Sequence, residues 1–155
     1  MRRSVVRRRA TITWLDRPPE GHGRVRVDSR AFTALAISAP TDEEPNPREV
    51  TPGELLAAAH GAFFLGALAE LLEDDGVPAR ELVVDADCEI GGEKLDHRVT
   101  AVEFSVHGIV EGVEESRFEA SAGAALDRLR DWLGIGERVP LTVSAHLRGA
   151  VRRSG

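Results

Sequence analysis

The segment 51–76, TPGELLAAAHGAFFLGALAELLEDDG, restricts the possible folds more than any other part of the chain. It opens as a capping box, with the Thr51 hydroxyl set to accept from the Glu54 N–H while the Glu54 carboxylate reaches back. Pro52 stands at the first helical position, where a missing N–H costs nothing. Gly76 supplies the left-handed residue that ends a helix, and Pro78 forbids continuation. Positions 55–68 are apolar on every side, interrupted only by His60, Gly61 and Gly66. A helix apolar all round is expected to be buried. Its apolar run is shorter than the roughly 20 residues a bilayer requires, which predicts the central helix of a soluble protein. His60 is then the one polar side chain carried into the interior.

Strands surround this helix in the sequence. Val6, Ala10, Ile12 and Trp14 alternate with Arg7, Arg9, Thr11 and Thr13, predicting a strand over 2–16. The basic run Arg7-Arg8-Arg9 reads as a solvated, charge-protected strand face rather than a nucleic-acid or membrane contact. Residues 17–21 are a turn by composition, and strands follow at 23–28 and 32–38, which suggests an antiparallel meander. Residues 39–50 hold three prolines and read as a loop leading to the helix. Beyond the helix, Leu82, Val84, Ala86, Cys88 and Ile90 share one face of a strand over 81–90. Gly91-Gly92 starts a hairpin turn into a return strand at 98–110. Phe118, Ala122, Ala125, Leu126, Leu129 and Trp132 form the apolar stripe of a second helix over 114–133, ended by Gly134 and Gly136. A last strand, 139–147, turns Val139, Leu141, Val143, Ala145 and Leu147 inward. The order βββ–α–ββ–α–β, with hairpins rather than repeated βαβ units, predicts an α+β fold.

At 155 residues the chain is expected to form a single domain, 1–155. Its formal net charge of −6 argues against nucleic acid as the main partner. The single cysteine, Cys88, excludes an intramolecular disulfide and a cysteine-rich metal site. The charged N-terminus lacks the pattern of a secretory signal, and the cytoplasm is the expected location.

Few residues suggest chemistry. His60 is either a ligand contact at a pocket or a core histidine bonded to a carbonyl. Cys88 shares the core-facing parity and neighbours Asp87 and Glu89, which favours an inert thiol over a redox one. His22, His97, His107 and His146 show no ligand spacing, so no metal and no cofactor are implied. No serine or cysteine sits on a recognisable nucleophile elbow.

As a whole the chain resembles the OsmC/Ohr family, the osmotically inducible and organic-hydroperoxide-resistance proteins. Three features carry the likeness: Trp14 followed by Gly21-x-Gly23-x-Val25, the run TPGELLAAAH beside the family's N-P-E-E-L-L-A-A-A-H, and the order of elements through Leu147. The resemblance implies an intertwined homodimer, with antiparallel sheets wrapped around buried central helices. For the enzymatic members it implies reduction of organic hydroperoxides by two cysteines, at sites formed across the dimer interface. Residue by residue the transfer fails. The peroxidatic cysteine falls on Phe63, the resolving cysteine on Leu129 or Arg130, and the glutamate after the motif proline on Gly53. The chemistry needs one thiolate to attack the peroxide and a second thiol to close the disulfide. The expectation is therefore a non-peroxidatic homodimer binding a small apolar or amphipathic ligand. His60, Phe63, Phe64, Leu129 and Trp132 would line its interface pocket. Residual redox chemistry through Cys88, or a purely structural role, are the alternatives.

Overall fold

The alternating residues near the N-terminus pair into a meander. In the computed structural model, which describes residues 5–15, 22–32, 34–38, 48–92, 98–133 and 139–149, β1 (Ala10–Leu15) runs antiparallel to β2 (His22–Val27). The short strand β3 (Leu35–Ile37) completes the order β1-β2-β3. Trp14 faces Gly23 across the ladder, and a side chain at Gly23 would collide with the Trp14 ring and with Ile37. A tryptophan lying over a glycine on the next strand explains why those two residues occur together. Val50 continues the sheet, its N–H donating to Ala36 O at 2.9 Å. Strands expected over 2–16 and 32–38 are thus shorter than their sequence pattern. The expected turn at 17–21, most of the loop, the hairpin tip with His97, and Gly134 with Gly136 lie outside the described residues.

The chain reads as one domain, yet it divides into two compact units, Met1–Leu55 and Leu56–Gly155. Helix α1 (Pro52–Asp74) begins in the first and runs on through the second. Its start is the expected capping box: Thr51 N–H donates to Glu54 Oε1 at 3.0 Å, and Glu54 N–H donates to Thr51 Oγ1 at 3.1 Å. Its end is a Schellman motif. Gly76 takes φ +76°, its N–H donates to Glu73 O at 3.0 Å, and Val77 N–H donates to Leu72 O at 2.9 Å.

In the second unit β4 (Ala79–Gly91) pairs antiparallel with β5 (Arg98–Val110), as the hairpin pattern predicts. Helix α2 (Glu115–Leu133) then carries the chain to β6 (Leu141–Leu147), which lies parallel to β5. The expectation of antiparallel sheets holds for the meander and the hairpin and fails here. A crossover helix between two neighbouring strands returns the chain in the same direction. The core gathers Phe64, Leu68 and Leu72 of α1, Phe118, Leu126 and Leu129 of α2, and the even-numbered face of β5. Burying each of these large side chains contributes about 1.5–3 kcal/mol. The Phe118 ring rests on Gly108, where an added Cβ would sit 2.8 Å from Phe118 Cζ.

Candidate functional site

Only one side of α1 is covered. Gly61, Phe64, Ala67, Leu68 and Leu72 are its buried residues, at three- and four-residue steps. Gly61 sits against β4, its absent Cβ 3.3 Å from Ala86 Cβ. Leu56 remains 39% exposed and Phe63 44% exposed, so the helix expected to be buried all round is half bare within one chain. By length and composition α1 can cross a membrane, so the expectation that it is too short does not stand.

The four apolar residues among the five expected pocket residues divide into two sets. Phe64 is fully buried and stacks on Phe104, with ring centroids 4.9 Å apart and planes 8° apart. Leu129 is likewise packed in the core at 1% exposure. Phe63 and Trp132 meet at the surface instead, edge to face, with centroids 5.0 Å apart and planes at 85°. Trp132 was expected in the core stripe of α2 but is 68% exposed. It stands one position before the helix ends at Leu133, and its ring packs on Phe63 rather than on the strands. Sequence periodicity assigned it the wrong partner.

His60 is half-buried, and its Nδ1 lies 2.6 Å from Leu56 O one turn earlier. A carbonyl oxygen only accepts, so Nδ1 carries the proton in this bond and Nε2 of the neutral ring is the acceptor. The carbonyl-bonded arrangement foreseen for a core histidine is therefore present, on a side chain that is not in the core.

The other singled-out residues are structural in their surroundings. Gly53 is a half-buried residue in the first turn of α1. Arg130, the alternative to Leu129, donates through Nη2 to Leu141 O at 3.0 Å and pairs with Asp127 at 2.9 Å, tying α2 to β6. Cys88 lies opposite Val102 and packs partly buried against the core. Burial pushes its thiol pKa up, which lowers the thiolate fraction. Arg7, Arg8 and Arg9 are exposed, as expected of a solvated face, and wall an open groove of about 700 Å³ with Asp28 and Phe32. Among the described residues no three His, Cys, Asp or Glu side chains group as a metal site would.

No family model matches the sequence, and no curated protein does. Solved structures do. An organic hydroperoxide resistance protein of Elizabethkingia anophelis superimposes with a TM-score of 0.76 at 17% identity, covering 95% of this chain and 100% of its own. An OsmC-like protein of unknown function from Vibrio cholerae gives 0.70 at 14% identity, covering 91% and 99%. An organic hydroperoxide resistance protein of Bacillus subtilis gives 0.67 at 15%, covering 88% and 97%. The chain has the OsmC/Ohr fold over nearly its whole length.

Proposed function

We propose that this chain is an OsmC/Ohr-fold protein that has given up cysteine-based peroxidase chemistry and works as a homodimer binding a small amphipathic molecule. The observation that carries this reading is the surface pair of Phe63, on the half-bare helix α1, and Trp132 of α2, with His60 one turn away from Phe63. Phe63 and Trp132 provide apolar contact, whereas Phe64 and Leu129 belong to the packed core. His60 Nε2, the acceptor nitrogen of the neutral ring, suits a ligand carrying a hydroxyl or hydroperoxide O–H. Two of the three similar structures named above are organic hydroperoxide resistance proteins, which makes oxidised apolar molecules the first compounds to try.

Turnover of such a ligand is not part of the proposal. Peroxide reduction needs an accessible thiolate, and the single thiol here has its pKa raised by burial. The same observation argues against residual redox chemistry at Cys88. A cytoplasmic, non-membrane location belongs to this reading. Three of the large side chains of α1, Phe64, Leu68 and Leu72, are committed to a protein core rather than to lipid.

A thermal-shift series with fatty acids, their hydroperoxides and isoprenoid alcohols tests the proposal. At least one compound should raise the melting temperature of the parent protein, and Trp132→Ala should abolish that shift. The absence of a shift with every compound sinks the binding reading. Consumption of cumene hydroperoxide with oxidation of Cys88, followed by mass spectrometry, sinks the non-peroxidatic one.

A further inference from the structure

The face of the β4–β5–β6 sheet that turns away from the core carries a chain of hydrogen bonds unconnected with the pocket residues. On β6, Ser144 and His146 lie two positions apart and so share that face. Ser144 Oγ is 3.0 Å from His146 Nε2, and Nδ1 of the same ring is 3.1 Å from Glu115 Oε1 in the first turn of α2. A carboxylate only accepts, so Glu115 places the proton of a neutral imidazole on Nδ1. Nε2 then holds the lone pair, and the Ser144 hydroxyl is the donor. One residue thus sets the direction of both bonds. A hydroxyl on the basic nitrogen of a ring oriented by a carboxylate is the arrangement that activates a serine nucleophile on unrelated folds.

The strand edge adds a second component. Val102 N–H donates to Pro140 O at 3.0 Å, and Arg148 N–H donates to Gly108 O at 2.8 Å. In a parallel ladder alternate residues bond the neighbouring strand, so Thr142, Ser144 and His146 face β5 through their main chain. Residues of the other parity turn their main-chain groups to the opposite edge, and Arg130 takes Leu141 O on that side. The N–H of Ala145, the residue after Ser144, belongs to this set and is aimed away from β5. A main-chain N–H following the nucleophile is a donor for a developing oxyanion.

We propose that Ser144, His146 and Glu115 form an acyl-transfer site that cleaves small carboxylic esters. Ser144 Oγ bonds to the acyl carbon while its proton passes to His146 Nε2. The bond from that carbon to the alkoxy oxygen then breaks, and the leaving alcohol takes the proton. Water repeats the sequence on the acyl-serine, releasing the carboxylic acid and returning the proton to Oγ. Glu115 touches no reacting atom and is a positioning residue. Across the ladder Ser105 stands opposite Ser144 with Asp85 beyond it, and Glu103 stands opposite Thr142 with Asp87 beyond it. Those carboxylates disfavour anionic substrates and select neutral or cationic esters. His107, opposite His146 on the same strand as Ser105, has its ring 5.8 Å from that of His146.

The full-length protein should react with a fluorophosphonate probe at one residue, identified by peptide mass spectrometry as Ser144, and should hydrolyse p-nitrophenyl acetate. Ser144→Ala should remove both reactions, and His146→Gln should slow labelling about 10²-fold. Glu115→Gln should lower kcat with KM unchanged, and Glu115→Asp should restore part of the loss. All three side chains are exposed, and a circular dichroism spectrum identical to the parent's shows that each variant folds. No label, a label elsewhere, a labelling rate unaffected by His146→Gln, or undiminished hydrolysis by Ser144→Ala overturns the proposal.

Discussion

The Glu54 carboxylate accepts from both the N–H and the hydroxyl of Thr51, the latter at 2.8 Å, and these bonds hold its pKa below the ordinary value. The hydroxyl bond is the larger cause and the main-chain bond the second. A depressed carboxylate pKa stabilises the folded state above the unfolded-state pKa, and that contribution is lost as the pH falls through the folded value. Replacing Thr51 by Ala should therefore lower the stability at neutral pH and do so progressively less in acid. Urea titrations at pH 7 and at pH 3 check both the loss and its direction with pH. The capping box was fully legible in the sequence, because it depends on two side chains three residues apart and on nothing distant. The Ser144–His146–Glu115 chain was not, since its members join 31 positions across the fold. Spacing along a strand brings Ser144 and His146 together, but only packing of α2 beside β6 brings Glu115.

At the level of elements, the periodic segments and their hairpin partners declared themselves, and the partners distant in sequence did not. Helix α2 buries Phe118, Ala122, Ala125, Leu126 and Leu129 as its stripe predicts, and β5 occupies the predicted residues. The parallel placement of β6 could not be read, because alternation assigns a strand its faces and not its neighbour. Trp132 shows the same limit on a helix, its i,i+3 step from Leu129 matching the stripe while its ring turns to Phe63. The contact between α2 and β5 through Phe118 and Gly108 gives a direct test of packing. Gly108→Val should destabilise the protein by about 1–3 kcal/mol, since the added carbons meet Phe118 and Leu82 at once. A fall in the urea midpoint with an unchanged slope is the expected record. An unaltered midpoint shows that Phe118 can move aside without cost.

For the whole molecule, the composition of α1 exceeds what one chain requires. Leu56 and Phe63 stay substantially exposed on a helix with almost no polar residue between Leu55 and Leu68. A second copy is the covering surface expected from the family resemblance, and it gives a measurable outcome. Light scattering should report twice the chain mass for the parent and a single chain mass for the Leu56→Glu, Phe63→Glu double variant. A monomeric parent removes the homodimer from the proposed function. The apolar pattern located the helix correctly and overstated how much of it a lone chain hides.

The parallel crossover from β5 through α2 to β6 also sets an order of events. The β4–β5 hairpin joins neighbours in sequence and can form early, whereas β6 must wait for the intervening helix. Until it arrives, one side of β5 presents unpaired main-chain groups that any other extended strand could claim. Conditions that slow the docking of β6 should therefore favour aggregation during refolding over simple delay.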